Sequence, residues 1–87
     1  MMDELERYRQ KVDEVDEVIL KALCERVKIC MAIGLVKKKR GMQVKDAARE
    51  NQVYRRIKEK SGELGLDSQQ VEAVYREIVN MCSAVQE

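Results

Sequence analysis

Residues 5–36 read LERYRQKVDEVDEVILKALCERVKICMAIGLV, and the spacing of their apolar members decides the fold. Leu5, Tyr8, Val12, Val15, Ile19, Ala22, Arg26, Ile29, Ile33 and Val36 recur at alternating intervals of three and four. That interval marks one long helix packing a single stripe against partner helices. Every member is apolar or amphipathic except Arg26. A guanidinium in such a seam costs several kcal/mol of desolvation unless something negative meets it. Either a protein carboxylate is buried beside Arg26, or the fold keeps an anion site in its interior.

Working outward, the first helix is expected from about Asp3 to Lys39, roughly 55 Å long at 1.5 Å per residue. Gly34 lies inside it, where glycine costs about 1 kcal/mol relative to alanine. Its presence is read either as close approach of a neighbouring backbone or ligand, or as simple tolerance. Gly41-Met42-Gln43-Val44-Lys45 breaks the pattern, and Asp46 has the character of an N-cap for a second helix over Ala47–Ser61. Gly62 and Gly65 mark the next break. Leu66-Asp67-Ser68-Gln69-Gln70-Val71 then starts a third helix, with Asp67 as cap, Gln70 placed to bond back and Leu66 to staple onto Val71. The expected third stripe is Val71, Val74, Tyr75, Ile78, Cys82 and Val85.

With no proline, few glycines and no alternating apolar pattern, the 87-residue chain is expected to be one all-α domain of three helices, the first very long. The two shorter helices cannot cover so long a stripe. An intertwined homodimer, with two long helices packed together, is the economical solution.

Composition narrows the chemistry. Charged residues make up 38% of the chain but the net charge is only +1, which argues against a general nucleic-acid binder. No apolar run is long enough to span a membrane, and Met1-Met2-Asp3-Glu4 is unlike a signal peptide, so a cytoplasmic location is expected. The chain closes just after Gln86, which fits a free-standing domain or a piece of a larger fusion. Cys24, Cys30 and Cys82 form an odd set without metal-ligand spacing and read as reduced packing residues; no metal site is expected. Histidine is absent, which removes the commonest general base and metal ligand.

Several polar residues share faces with apolar ones. Arg26 and Lys37 are eleven residues apart, three turns plus about 20°, so both point the same way from backbones roughly 16 Å apart. Leaning together they would hold a small anion over Cys30 and Ile33. Alternatively, Lys37 only opens the solvated run Lys37-Lys38-Lys39-Arg40. Asp46, Arg49 and Glu50 stand at i, i+3 and i+4 on the face continued by Val53 and Ile57; a cap plus a local ion pair would explain them equally. Gln86 follows Cys82 by four, either on the apolar side of the third helix or as a frayed end. Arg9 lies roughly 25 Å from Arg26 along the same helix, so only an antiparallel second copy could bring it to Arg26. Alone it is a surface arginine.

These residues carry a resemblance. The chain resembles the small all-helical chorismate mutases, whose three-helix protomers interlock as dimers with two shared active sites. The likeness covers essentially the whole chain. It is strongest at Leu5–Asp16, Glu25-Arg26, Lys37 and Asp46-Ala47-Ala48-Arg49-Glu50. It implies conversion of chorismate to prephenate, in aromatic amino-acid biosynthesis, without a cofactor. Arg26 and the partner subunit's Arg9 would grip the substrate carboxylates, with Arg49 supporting that charge. Lys37 and Gln86 would donate to the ether oxygen of the breaking bond, and Glu50 with the region of Asp46 would hold the ring hydroxyl. Cys82 stands where the family commonly has a small polar residue that helps bind a carboxylate, and a thiol is a poorer donor there.

A unimolecular rearrangement needs no base, nucleophile or metal. It gains from a frozen folded conformer and from charge stabilisation at the ether oxygen, which suits a histidine-free cationic cluster. The alternatives are an isochorismate-pyruvate lyase on the same scaffold, a non-catalytic helical dimerisation module, and a nucleic-acid or targeting patch at Lys37–Arg40. The short Gly41–Lys45 connection and Gln86 lean towards the mutase. Arg26 disfavours the dimerisation module, and the near-zero net charge disfavours the basic patch.

Overall fold

The computed structural model describes residues 3–87 as three helices: α1 (Glu4–Lys39), α2 (Ala47–Glu63) and α3 (Ser68–Ala84). Met1 and Met2, where the reading of the N-terminus begins, lie outside the described residues. No helix among the described residues is long and apolar enough to cross a membrane.

Each helix starts on an aspartate whose carboxylate satisfies orphan N–H groups. Asp3 accepts from the Glu6 N–H at 2.8 Å, Asp46 from the Arg49 N–H at 3.0 Å, and Asp67 from Gln69 and Gln70 at 3.0 and 3.1 Å. Gln70 thus contributes its backbone N–H to Asp67, and Leu66 is 55% exposed.

Both internal helix ends close as Schellman motifs. At the end of α1, Met42 N–H donates to the Lys37 carbonyl at 2.8 Å and Gly41, at φ +66°, donates to Lys38 at 3.3 Å. At the end of α2, Leu66 donates to Ser61 at 2.9 Å and Gly65, at φ +74°, to Gly62 at 3.2 Å. The second helix therefore runs two residues past Ser61. Gly62 has an ordinary helical backbone, and it is Gly65 that adopts the left-handed turn.

α2 lies along α3, and their contact is the core: Val53, Tyr54, Ile57 and Val79 are buried, flanked by Val71 and Tyr75. Buried Ser61 satisfies its hydroxyl on the Ile57 carbonyl at 2.6 Å. Val79 was absent from the expected third stripe, whereas Val74 and Val85 are exposed. The helix carries two adjacent apolar rows, and α2 takes the one through Val71, Tyr75 and Val79.

The α2–α3 contact is also pinned by charge. Glu72 of α3 receives Lys58 of α2 at 3.1 Å and Arg76 at 3.4 Å. The hydrogen bond from Lys58 leads in holding the Glu72 carboxyl below its ordinary value of 4.5. A depressed carboxyl stabilises the fold above its unfolded pKa, and that contribution disappears as pH falls through the folded one. Wild-type protein should therefore lose thermal stability more steeply below about pH 4.5 than Glu72→Gln, in melts run between about pH 3 and pH 7. Parallel curves would dismiss the pair.

Among the described residues, the helix that packs on α1 is α3, and it does so over the C-terminal half of α1. Every residue from Asp3 to Ala22 is exposed. The radius of gyration is 16.6 Å, against about 12 Å for a compact chain of this length. The apolar stripe that defined the helix is uncovered: Leu5, Tyr8, Val12, Val15, Ile19, Ile29, Ile33 and Val36 are each at least 41% exposed.

Candidate active site

Beside that open stripe, α1 turns a second row toward α3: Leu23, Arg26, Cys30, Gly34 and Lys37. Arg26, placed in the stripe by periodicity, belongs to this row in three dimensions, because α3 meets α1 off the stripe's centre. Its Nη1 donates to Cys82 Sγ at 2.8 Å and reaches Cys30 Sγ at 3.9 Å. Among the described residues, no carboxylate meets it.

The Cys30 thiol does not supply the missing negative charge. Burial pushes the Cys30 thiol up, and the hydrogen-bonded Cys82 thiol adds to the shift, outweighing the opposing fields of Arg26 and Lys37. Cys30 therefore stays a neutral thiol at neutral pH. Half-buried Arg26 keeps an unneutralised charge.

Three turns further along α1, Lys37 is held in a definite pose. Its Nζ donates to the Val44 carbonyl at 2.7 Å and to Gln86 Oε1 at 2.8 Å. An ammonium has three N–H bonds, so one remains for a ligand. With its oxygen on Lys37, Gln86 places Nε2 on the Cys82 carbonyl at a long 3.3 Å, which uses one of the two N–H bonds of its NH₂. Among the described residues, neither Arg26 nor Lys37 makes an ion pair.

These groups border one cavity of about 310 Å³, formed between the C-terminal half of α1, the start of α2 and the end of α3. That volume is at the lower end of small-ligand sites, which run from ~300 to ~1,000 Å³. Arg26, Lys37, Asp46, Arg49, Glu50, Cys82 and Gln86 all line it, with Cys30, Ile33, Val53 and Val79 as the apolar wall. The loop after Gly41 turns sharply, so the first turn of α2 faces Lys37. Asp46 caps α2 while bordering the cavity, Arg49 bonds Gln52 at 2.7 Å, and Glu50 pairs with Lys45 at 3.0 Å. Lys45, at the rim, was not foreseen as Glu50's partner.

Arg9 stands apart. It is exposed on the free half of α1 and pairs with Glu6 at 2.9 Å. Three lining features escaped the sequence reading: the Val44 carbonyl, Ser83 and Val79. A backbone acceptor leaves no mark in a sequence; Ser83 had a usable signal, as the direct neighbour of Cys82.

The site is thus a long helix that presents two cations without ion-pair partners, three turns apart, to one cavity lined by polar and apolar groups. Comparison with known proteins supplies the family. Residues 8–87 match the family model described as chorismate mutase type II. The chain is 32% identical over 88 residues to a bifunctional chorismate mutase/prephenate dehydratase of Aquifex aeolicus, spanning 98% of this chain and 24% of that protein. It is 33% identical over 67 residues to a chorismate mutase of Methanocaldococcus jannaschii, spanning 77% of this chain and 68% of that one. A solved structure of a conserved hypothetical protein from Pyrococcus furiosus superposes over the full length of both chains, with a TM-score of 0.80 and 28% identity. The chain belongs to the chorismate mutase type II family.

Proposed function

We propose that this chain catalyses the rearrangement of chorismate to prephenate as a homodimer with two shared sites. The observation that carries the reading is the pairing of Arg26 and Lys37, two cations without carboxylate partners, on one cavity with Gln86. A dicarboxylate with an ether oxygen between its two halves suits that arrangement. Arg26 offers a fork to one carboxylate, and Arg49 adds positive potential from α2. Lys37 uses its free N–H, and Gln86 the N–H of its NH₂ that is not spent on the Cys82 carbonyl, toward the ether oxygen as negative charge grows there. Glu50 and Asp46 stand across the cavity as acceptors for a ring hydroxyl. Cys82 beside Arg26 contributes little donation to a carboxylate, so affinity there rests on the arginine.

The dimer follows from what one chain leaves undone. An apolar stripe along nearly the whole of α1 is exposed, far more than a stable monomer leaves open. The cavity borders the covered end of α1, while Arg9 projects from the uncovered end. An antiparallel second copy would cover the stripe and deliver the partner subunit's Arg9 to the cavity, completing the grip on the substrate.

The test is a product assay offering chorismate and isochorismate separately, with products identified by NMR. Prephenate from chorismate supports the reading. Pyruvate and salicylate from isochorismate as the main products would make the protein a lyase on this scaffold, and a folded dimer inert to both would remove the proposal. Sharing of the site has its own check. Inactive Arg9→Ala and Arg26→Ala chains, mixed and allowed to exchange, should regain partial activity, because each heterodimer has one intact site. No recovery after verified exchange would argue that each chain works alone.

A further inference from the structure

Gly34 lies one turn before Lys37 and is buried where the end of α3 crosses α1. A Cβ at this position would stand 2.8 Å from Gln86 Cα and 3.1 Å from both Gln86 Cβ and the Gln86 carbonyl oxygen. Carbon atoms in good contact are about 3.5–4.0 Å apart. Two of the three crowded atoms are backbone, so no rotamer change relieves them. Gly34 itself has an ordinary helical φ, so its backbone does not call for glycine. The neighbour does. The residue it would displace is the one whose Oε1 holds Lys37 Nζ at 2.8 Å.

Gln86 is also the side of this contact that lies outside the regular helices. It lies beyond the end of α3, tied by its own N–H to Ser83 at 3.1 Å and by its side chain to Lys37 and Cys82. An added carbon at Gly34 would push the segment that follows α3 off α1 and leave the α2–α3 core in place. Restoring normal contact needs a shift of about 1 Å, which is enough in an active site to cost up to ~10²-fold in rate.

We propose that Gly34 is a positioning residue: its missing side chain sets how deeply the Gln86 backbone seats on α1, and so fixes the hydrogen bond that aims Gln86 and Lys37 into the cavity. The kinetic part rests on the reaction proposed above; the geometric part does not.

The experiment is a cycle of Gly34→Ala, Gln86→Ala and the double variant, with chorismate turnover and the NMR signals of the Gln86 side-chain amide as readouts. Gly34→Ala should fold, lower kcat about 10- to 100-fold with little change in KM, and move the Gln86 amide signals, as Lys37→Ala should also do. In the Gln86→Ala background the same change should lower kcat no further, because the group it positions is gone. Losses that multiply in the double variant, or Gln86 signals unmoved in Gly34→Ala, would overturn the proposal. So would a Gly34→Ala chain that fails to fold, since the segment after α3 and not the helix packing is held to absorb the carbon. If wild-type protein turns over no chorismate, the reaction is wrong, and the NMR arm still decides the geometry.

Discussion

Lys37→Ala should lower kcat for prephenate formation by about 10²-fold, or about 3 kcal/mol in the barrier, with a much smaller change in KM. The size follows from how the ammonium is held. Val44 and Gln86 take two of its three N–H bonds at 2.7 and 2.8 Å, so the third is aimed before substrate arrives and needs no reorganisation. A donor fixed in advance acts mainly where charge develops, in the transition state, which is why kcat carries the loss. Alanine also removes the partner that orients Gln86. Lys37→Ala and Gln86→Ala should therefore combine to less than the product of their separate effects. Lys37→Arg should recover little, because a planar fork cannot reproduce three tetrahedral N–H directions. Steady-state kinetics on variants shown by circular dichroism to be folded decide it. An unchanged kcat in Lys37→Ala would remove Lys37 from the chemistry.

Much of this site was legible because its side chains sit on helices, where spacing converts directly into direction. Arg26 and Lys37 fall on one side of α1 by arithmetic alone, and Asp46 announces both the start of α2 and the edge of the cavity. What stayed hidden has physical reasons. Arg26 counts as a stripe residue in one dimension, yet α3 lies off the stripe's centre and draws it into the second row. Ile78 and Val79 are both apolar, and periodicity cannot say which of two adjacent rows the partner helix takes. Gly62 and Gly65 look alike in sequence, but only the one at the left-handed position ends the helix. The Val44 carbonyl that pins Lys37 is backbone, carried by any residue.

Arg26→Leu should abolish measurable turnover and at the same time raise the melting temperature of the empty protein. The two effects have one cause. Arg26 is half-buried with no carboxylate, and its nearest polar neighbours are the Cys82 sulfur at 2.8 Å and a Cys30 thiol that burial keeps protonated. Its desolvation is therefore uncompensated until an anion arrives, and a leucine would remove that penalty while adding apolar contact to Cys30 and Cys82. Because the side chain is only half-buried, the gain should be on the order of 1 kcal/mol rather than the ~4 kcal/mol upper end for fully buried ion pairs. Ligand reverses the order. A dicarboxylate analogue of the substrate should raise the melting temperature of the wild type with concentration, as binding to the folded state alone requires, and leave Arg26→Leu unmoved. Arg26→Lys separates charge from shape: it keeps the cation but loses the fork, so turnover should still fall by about 10²-fold without the gain in stability. A destabilised Arg26→Leu would mean that the guanidinium holds α1 to α3 through Cys82, and is not a charge kept waiting for substrate.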